Sequence, residues 1–166
     1  MQVEMEADNW QRCYARSRHM AKRNVIIGDR DIEVLMALDC CPLTPSQLRK
    51  LSDSFDQPFS DDHILRRRLR LISEAGFIRS WPYAVASDGR SPRYYRLTRE
   101  GFRLLHGMNA VLPSRRQFEG LATGHHHHTL SLADFLVQTI VDAHRHNAII
   151  QHVAPENSFR LEAGGF

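Results

Sequence analysis

Four side chains at helical spacing carry the most chemistry in this sequence. They are His63, Arg66, Arg67 and Arg70, within the stretch SDDHILRRRLRLISEAGFIR that runs from Ser60 to Arg79. At about 100° per residue they fall on one face together with Glu74. The guanidinium is a planar, fixed donor that holds a phosphate or the edge of a guanine through two parallel hydrogen bonds. Three of them on one exposed helix face suit a polyanion. A merely solvated charged helix is the competing reading, and the residues that follow weigh against it. Arg68 stands apart, because it projects into the apolar arc; its stem should be buried and its head paired or snorkelled.

Further basic and hydroxyl groups follow. Ser87, Arg90, Ser91 and Arg93 surround the turn Ser87-Asp88-Gly89-Arg90-Ser91-Pro92, and Gln47, Arg49 and Lys50 stand upstream. From His63 to Arg103 there are ten arginines against three acids, a net +7 within a chain of net charge +3. So local an excess implies a polyanionic partner.

The run His125-His126-His127-His128 offers imidazoles, with His144, His146 and His152 later in the chain. Imidazole is a good zinc or nickel ligand. Adjacent residues cannot all turn to one ion, however, and no cysteine or carboxylate pair stands nearby at a familiar spacing. The run reads as solvated or helix-packing histidines, and no cofactor is expected. A metal-responsive regulator using these four is the alternative. Catalysis has little support: there is no Gly-rich phosphate loop, nucleophile elbow or Cys-His pairing with context. The chain reads as a non-enzyme.

The elements that must position these groups are visible in pattern. Asp29 to Cys41 is a first helix, with Asp29 as cap and Pro42 as stop. Thr44-Pro45-Ser46-Gln47 starts a second: Thr44 caps, Pro45 sits at the first helical position and Gln47 completes a capping box. Ser60 opens a third, with Leu65, Leu69 and Ile72 as its inward stripe. Phe77 to Val85 reads as a strand, edge-like because of Pro82, and Arg93 to Leu97 as its mate. Thr98 caps a fourth helix. Pro113 to Gly124 is a polar linker. A fifth helix runs from Thr129 or Ser131 to about His146 and is apolar over more than half its circumference, so it must be buried against something. Ala148 to Val153 reads as a strand, with Phe159 to Leu161 as a hairpin mate.

Helix, helix, helix, strand, basic turn, strand, helix is the order of a winged helix-turn-helix. The expected fold is therefore mainly α with a small β-wing (α+β), followed by a long apolar helix and a short terminal strand region. Residues 1–27 would be a basic arm or helix, 28–110 the winged helix, 111–128 a linker with the histidine run, and 129–166 a dimerisation or docking helix plus strands. In this arrangement His63, Arg66, Arg67 and Arg70 face the major groove. Arg90 and Arg93 reach backbone or minor groove from the wing, with Ser87 and Ser91 as neutral phosphate donors, and Gln47, Arg49 and Lys50 hold the backbone.

The segments DIEVLMAL, TPSQLRKL, ILRRRLRLISEAGFI and RYYRLTREGFRLL resemble bacterial winged-helix proteins. Continued through HHHHTLSLADFLVQTIVDAHR, the chain is similar to the replication-relaxation family of plasmid and mobile-element proteins over about residues 29–153. The resemblance implies double-stranded DNA binding in plasmid replication, transfer or transcriptional regulation, with replication or transfer proteins as further partners. A protein-docking module of such a complex is the alternative.

Cys13, Cys40 and Cys41 form no disulfide framework, which fits a reducing cytoplasm. No apolar run approaches the roughly 18 residues of a membrane span, and no signal peptide is visible. A homodimer through residues 131–146 is expected. The ending Leu161-Glu162-Ala163-Gly164-Gly165-Phe166 carries no stop architecture, which is compatible with a fragment of something longer.

Overall fold

The computed structural model describes residues 25–85, 91–148 and 150. The expected arm, most of the terminal strands and the tip of the basic turn, with Ser87 and Arg90, lie outside the described residues. The architecture is mainly helical with one small antiparallel sheet. In order it runs α1 (Asp29–Cys40), α2 (Pro45–Leu51), a 3-10 turn (Ser52–Ser54), α3 (Asp62–Glu74), β1 (Ile78–Pro82), β2 (Arg93–Leu97) and α4 (Arg99–His106). Two 3-10 turns (Arg115–Phe118 and Thr123–His125) then lead into α5 (His126–Arg145).

Local chemistry sets the helix starts. Thr44 accepts from the Gln47 amide at 3.2 Å, and Gln47 Oε1 accepts from the Thr44 amide at 2.8 Å, the capping box expected from sequence. Thr98 accepts from the Gly101 amide at 3.1 Å. The cap of α3 is Asp61 rather than Ser60; its carboxylate accepts from the Ile64 amide at 2.8 Å. A carboxylate there also meets the positive end of the helix dipole. At α1 the cap is Gly28, not Asp29, and the Asp31 carboxylate accepts from the Gly28 amide at 2.8 Å.

One core joins these elements. Val34, Leu35, Leu48, Leu65, Leu69, Ile72, Ile78 and Leu97 are among its buried members. Ile78 pairs with Leu97 and Trp81 with Tyr94 across the sheet. Leu43 bridges to Tyr95, so the stretch between α1 and α2 adds a third, single-residue rung. After β1 the ladder gains one more bond, from the Tyr83 amide to the Pro92 carbonyl at 2.8 Å.

The region after α4 differs from expectation in two ways. The fifth helix begins at His126, ahead of Thr129, and packs on α2 and the 3-10 turn that follows it. Ala133, Val137 and Val141, four residues apart, enter the core. That stripe is buried, as is His126 at the helix start, while Phe135 on another side is 66% exposed. Second, residues 113–124 form a strap across the back of the sheet rather than a free linker. The Leu121 amide donates to Tyr94 Oη at 2.7 Å. Arg96 Nη1 donates to the carbonyls of Arg116 and Glu119. Gly120 lies so close to the Trp81 ring that a Cβ there would sit 2.9 Å from Cδ1.

Candidate nucleic-acid interface

Helix α3 is two-sided. Leu65, Leu69 and Ile72 are at most 1% exposed. His63, Arg66, Arg67 and Arg70 are exposed on the other side. The Arg66 guanidinium reaches only the neighbouring Asp62 carboxylate, at 4.0 Å, and both groups are mostly in solvent. Exposed pairs of this kind contribute about 0.3–0.5 kcal/mol, so Asp62 does not hold Arg66 away from a ligand. No ion pair of Arg67 or Arg70 occurs among the described residues.

Arg68, in the middle of the same run, turns inward as its position in the apolar arc requires. Its Nε and Nη2 donate to the two Asp31 oxygens, and Nη2 also donates to the Ile26 carbonyl. The Asp31 side chain is 5% exposed. The hydrogen bond to this carboxylate raises the Arg68 pKa further, against the opposing effect of burial. Arg68 is thus the anchor of α3 on α1, and Arg66, Arg67 and Arg70 remain exposed to solvent.

The remaining predicted groups are dispersed. Arg49 Nη1 pairs with Asp53 at 2.8 Å, and the Lys50 amine donates to Gln138 on α5. Gln47 is 5% exposed, and its Nε2 donates to Asp134 at 2.8 Å, so it is not available to a backbone phosphate. Arg93 donates to Ser80 Oγ at 3.1 and 3.2 Å and to the Ser80 carbonyl at 3.2 Å, which ties it along the sheet while leaving it exposed. Ser91 is exposed beside it. Arg79 and Arg96 oppose each other across the strands. The repulsion is met separately: Arg79 lies 5.4 Å from the Trp81 ring centre, and Arg96 grips the strap.

The histidine run divides. His125, His127 and His128 are exposed, whereas His126 is 5% exposed. Its Nδ1 accepts from the Ala84 amide at 2.7 Å. Nε2 therefore carries the proton and donates to the Leu121 carbonyl at 3.1 Å. The ring also meets Tyr83 and Tyr94 edge-on. His126 thus fastens the root of the β1–β2 turn to the strap and to α5. Sequence pattern gave no sign of this. Among the described residues, no group of three or more His, Cys, Asp or Glu side chains is placed to hold a metal ion.

No protein-family model, curated protein or solved structure matches the chain. No helix among the described residues is long and apolar enough to cross a membrane.

Proposed function

We propose that residues 28–110 form a winged helix that binds double-stranded DNA, with α3 in the major groove and the β1–β2 turn as the wing. One observation carries this reading: α3 presents His63, Arg66, Arg67 and Arg70 outward while Arg68 and the leucine stripe fix the helix from behind. A helix held on one face and free on an arginine-rich other face can enter a groove without reorganising. The order of the elements and the Leu43–Tyr95 rung support the fold part of the reading. Arg93 and Ser91 would touch the backbone from the wing. Arg49 and Lys50 are engaged with Asp53 and Gln138 and would contribute through charge at longer range.

The biological setting we propose is cytoplasmic: plasmid or mobile-element replication or transfer, or transcriptional regulation. The protein acts there without catalysis. We further propose that it pairs with a second copy through residues 131–146, where α5 leaves Phe135 exposed beside the half-buried Leu132 and Leu136. Two recognition helices would then read two half-sites. Sedimentation of the wild type and of Phe135→Asp tests the pairing; a wild type that is monomeric at all concentrations rules it out.

Anisotropy titrations of labelled duplexes with Arg66→Ala and Arg70→Ala test the recognition helix. A base-reading arginine costs about 1–3 kcal/mol of affinity and relaxes specificity at one position. Unchanged affinity in both variants places the recognition surface elsewhere.

A further inference from the structure

Where the C-terminus of α1 meets β2, α4 and the strap, the surface opens into a cavity of about 320 Å³. That is near the lower bound for small-molecule sites. Leu38, Leu97, Phe102 and Phe118 give it an apolar wall. The Phe102 and Phe118 rings stand edge to face, 6.0 Å apart at an interplanar angle of 77°. An aromatic guest gains from such a wall through both burial and ring geometry.

The cavity also contains an uncompensated cation. Arg96 lines it, and among the described residues only its Nη1 is engaged, on the carbonyls of Arg116 and Glu119. Arg49 and Arg68, likewise partly buried, each hold a carboxylate. Arg96 has none among the described residues. Burial lowers its pKa, the mark of a guanidinium short of counter-charge. The lining does not supply that charge. Asp39, its one acidic residue, is hydrogen-bonded to His106 Nε2 at 2.8 Å and forms no ion pair with Arg96. Burial pushes the Cys41 thiol up to about 12, so it stays protonated.

We propose that this cavity binds a small aromatic carboxylic acid. The carboxylate accepts from the Nε and Nη2 hydrogens of Arg96, and the ring lies against Phe102 and Phe118. The fit follows from one cation at an apolar wall: a neutral ring leaves the guanidinium unpaired, and a small acid without a ring leaves the wall wet. This inference does not depend on the DNA reading.

The test is an NMR titration of the full-length, nitrogen-labelled protein with benzoate, benzamide and acetate at constant ionic strength. Benzoate should shift the amides of Leu38, Leu97, Phe102 and Phe118 saturably, and bind at least about tenfold more tightly than benzamide, as one charge-assisted contact implies. Acetate should be weaker than benzoate. Arg96→Gln should abolish the preference for the anion while benzamide still binds. If that variant does not fold, because Arg96 also holds the strap, the benzoate-to-benzamide ratio in the wild type decides alone. Equal affinities, absence of saturation, or shifts confined to residues 63–70 would each overturn the proposal; the last would mean anions collecting on the basic helix.

Discussion

Replacing Arg68 by alanine should damage the fold, and replacing its neighbour Arg67 should not. The Asp31 carboxylate, 5% exposed, holds both Arg68 and the Gly28 amide. Without Arg68 it keeps the amide bond at 2.8 Å but loses its only ion-pair partner among the described residues. Breaking a buried pair from one side costs about 3–5 kcal/mol, since the stranded charge stays desolvated. Arg68 keeps 25% of its side chain in solvent, and that screening reduces the expected loss to about 2–4 kcal/mol. Arg67, exposed and without an ion pair among the described residues, should cost no more than about 0.5 kcal/mol. Urea unfolding followed by tryptophan fluorescence measures both, and an unchanged slope against denaturant shows that only stability moved. Pairing Arg68→Met with Asp31→Asn should recover part of the loss, because the stranded group is then uncharged. A loss under about 1 kcal/mol for Arg68→Ala, or equal losses for the two arginines, would refute the inward anchor.

Three further outcomes follow from the packing. Gly101→Ala should destabilise by about 2–4 kcal/mol in the same urea assay, because its Cβ would fall 2.1 Å from the Phe77 carbonyl oxygen and backbone must shift; a neutral change would mean that α4 can slide off β1. Tyr83→Phe should be neutral or stabilising by up to about 1 kcal/mol in thermal melts, since the fully buried Tyr83 hydroxyl has no hydrogen-bond partner among the described residues; a large loss would reveal one. Burial, and then Tyr94, raises the Tyr83 pKa, and burial raises that of Cys41 to about 12. Both acids ionise first in the unfolded chain, so the stability they contribute is whole below the unfolded values, about 8.5 for Cys and 10 for Tyr, and drains as pH rises toward the folded ones. Melting temperature should therefore fall above roughly pH 8.5, less steeply in Tyr83→Phe and Cys41→Ala; parallel falls in all three proteins would contradict that cause.

Much of this architecture is written locally. Thr44 through Gln47 specify a helix start within four consecutive side chains, and those same atoms make the capping box. The amphipathic period of α3 separates Leu65, Leu69 and Ile72 from Arg66, Arg67 and Arg70 without tertiary information, so the candidate face was legible as a pattern. The choice of Asp61 over Ser60 was not, because two good caps stand side by side and only backbone geometry selects between them. The strap was hidden for a different reason. Polar residues 113–124 carry no period, and what holds them are the Arg96 and Tyr94 side chains, 20 to 27 residues upstream, acting on backbone groups. His126 was invisible for the same cause: nothing in four identical residues says which one meets the Ala84 amide. Breadth of apolar pattern at α5 does not say which stripe the chain itself buries: Ala133, Val137 and Val141 enter the core while Phe135 stays out. The Lys50 amine and the Gln47 amide nitrogen have no partner visible in sequence; Gln138 and Asp134, which they meet, lie almost ninety positions away.

Binding of a nucleic-acid duplex by the outward arginines of α3 is open to direct measurement. It is tested most directly by fluorescence anisotropy of a labelled random-sequence duplex, titrated with the full-length protein at several salt concentrations, with and without zinc. Affinity should fall linearly in logarithm with the logarithm of salt, with a slope that shrinks by about one when Arg67 is replaced by alanine and no effect of zinc. No binding even at low salt, or a slope indifferent to Arg66, Arg67 and Arg70, would contradict it and leave this helix as a protein-docking face.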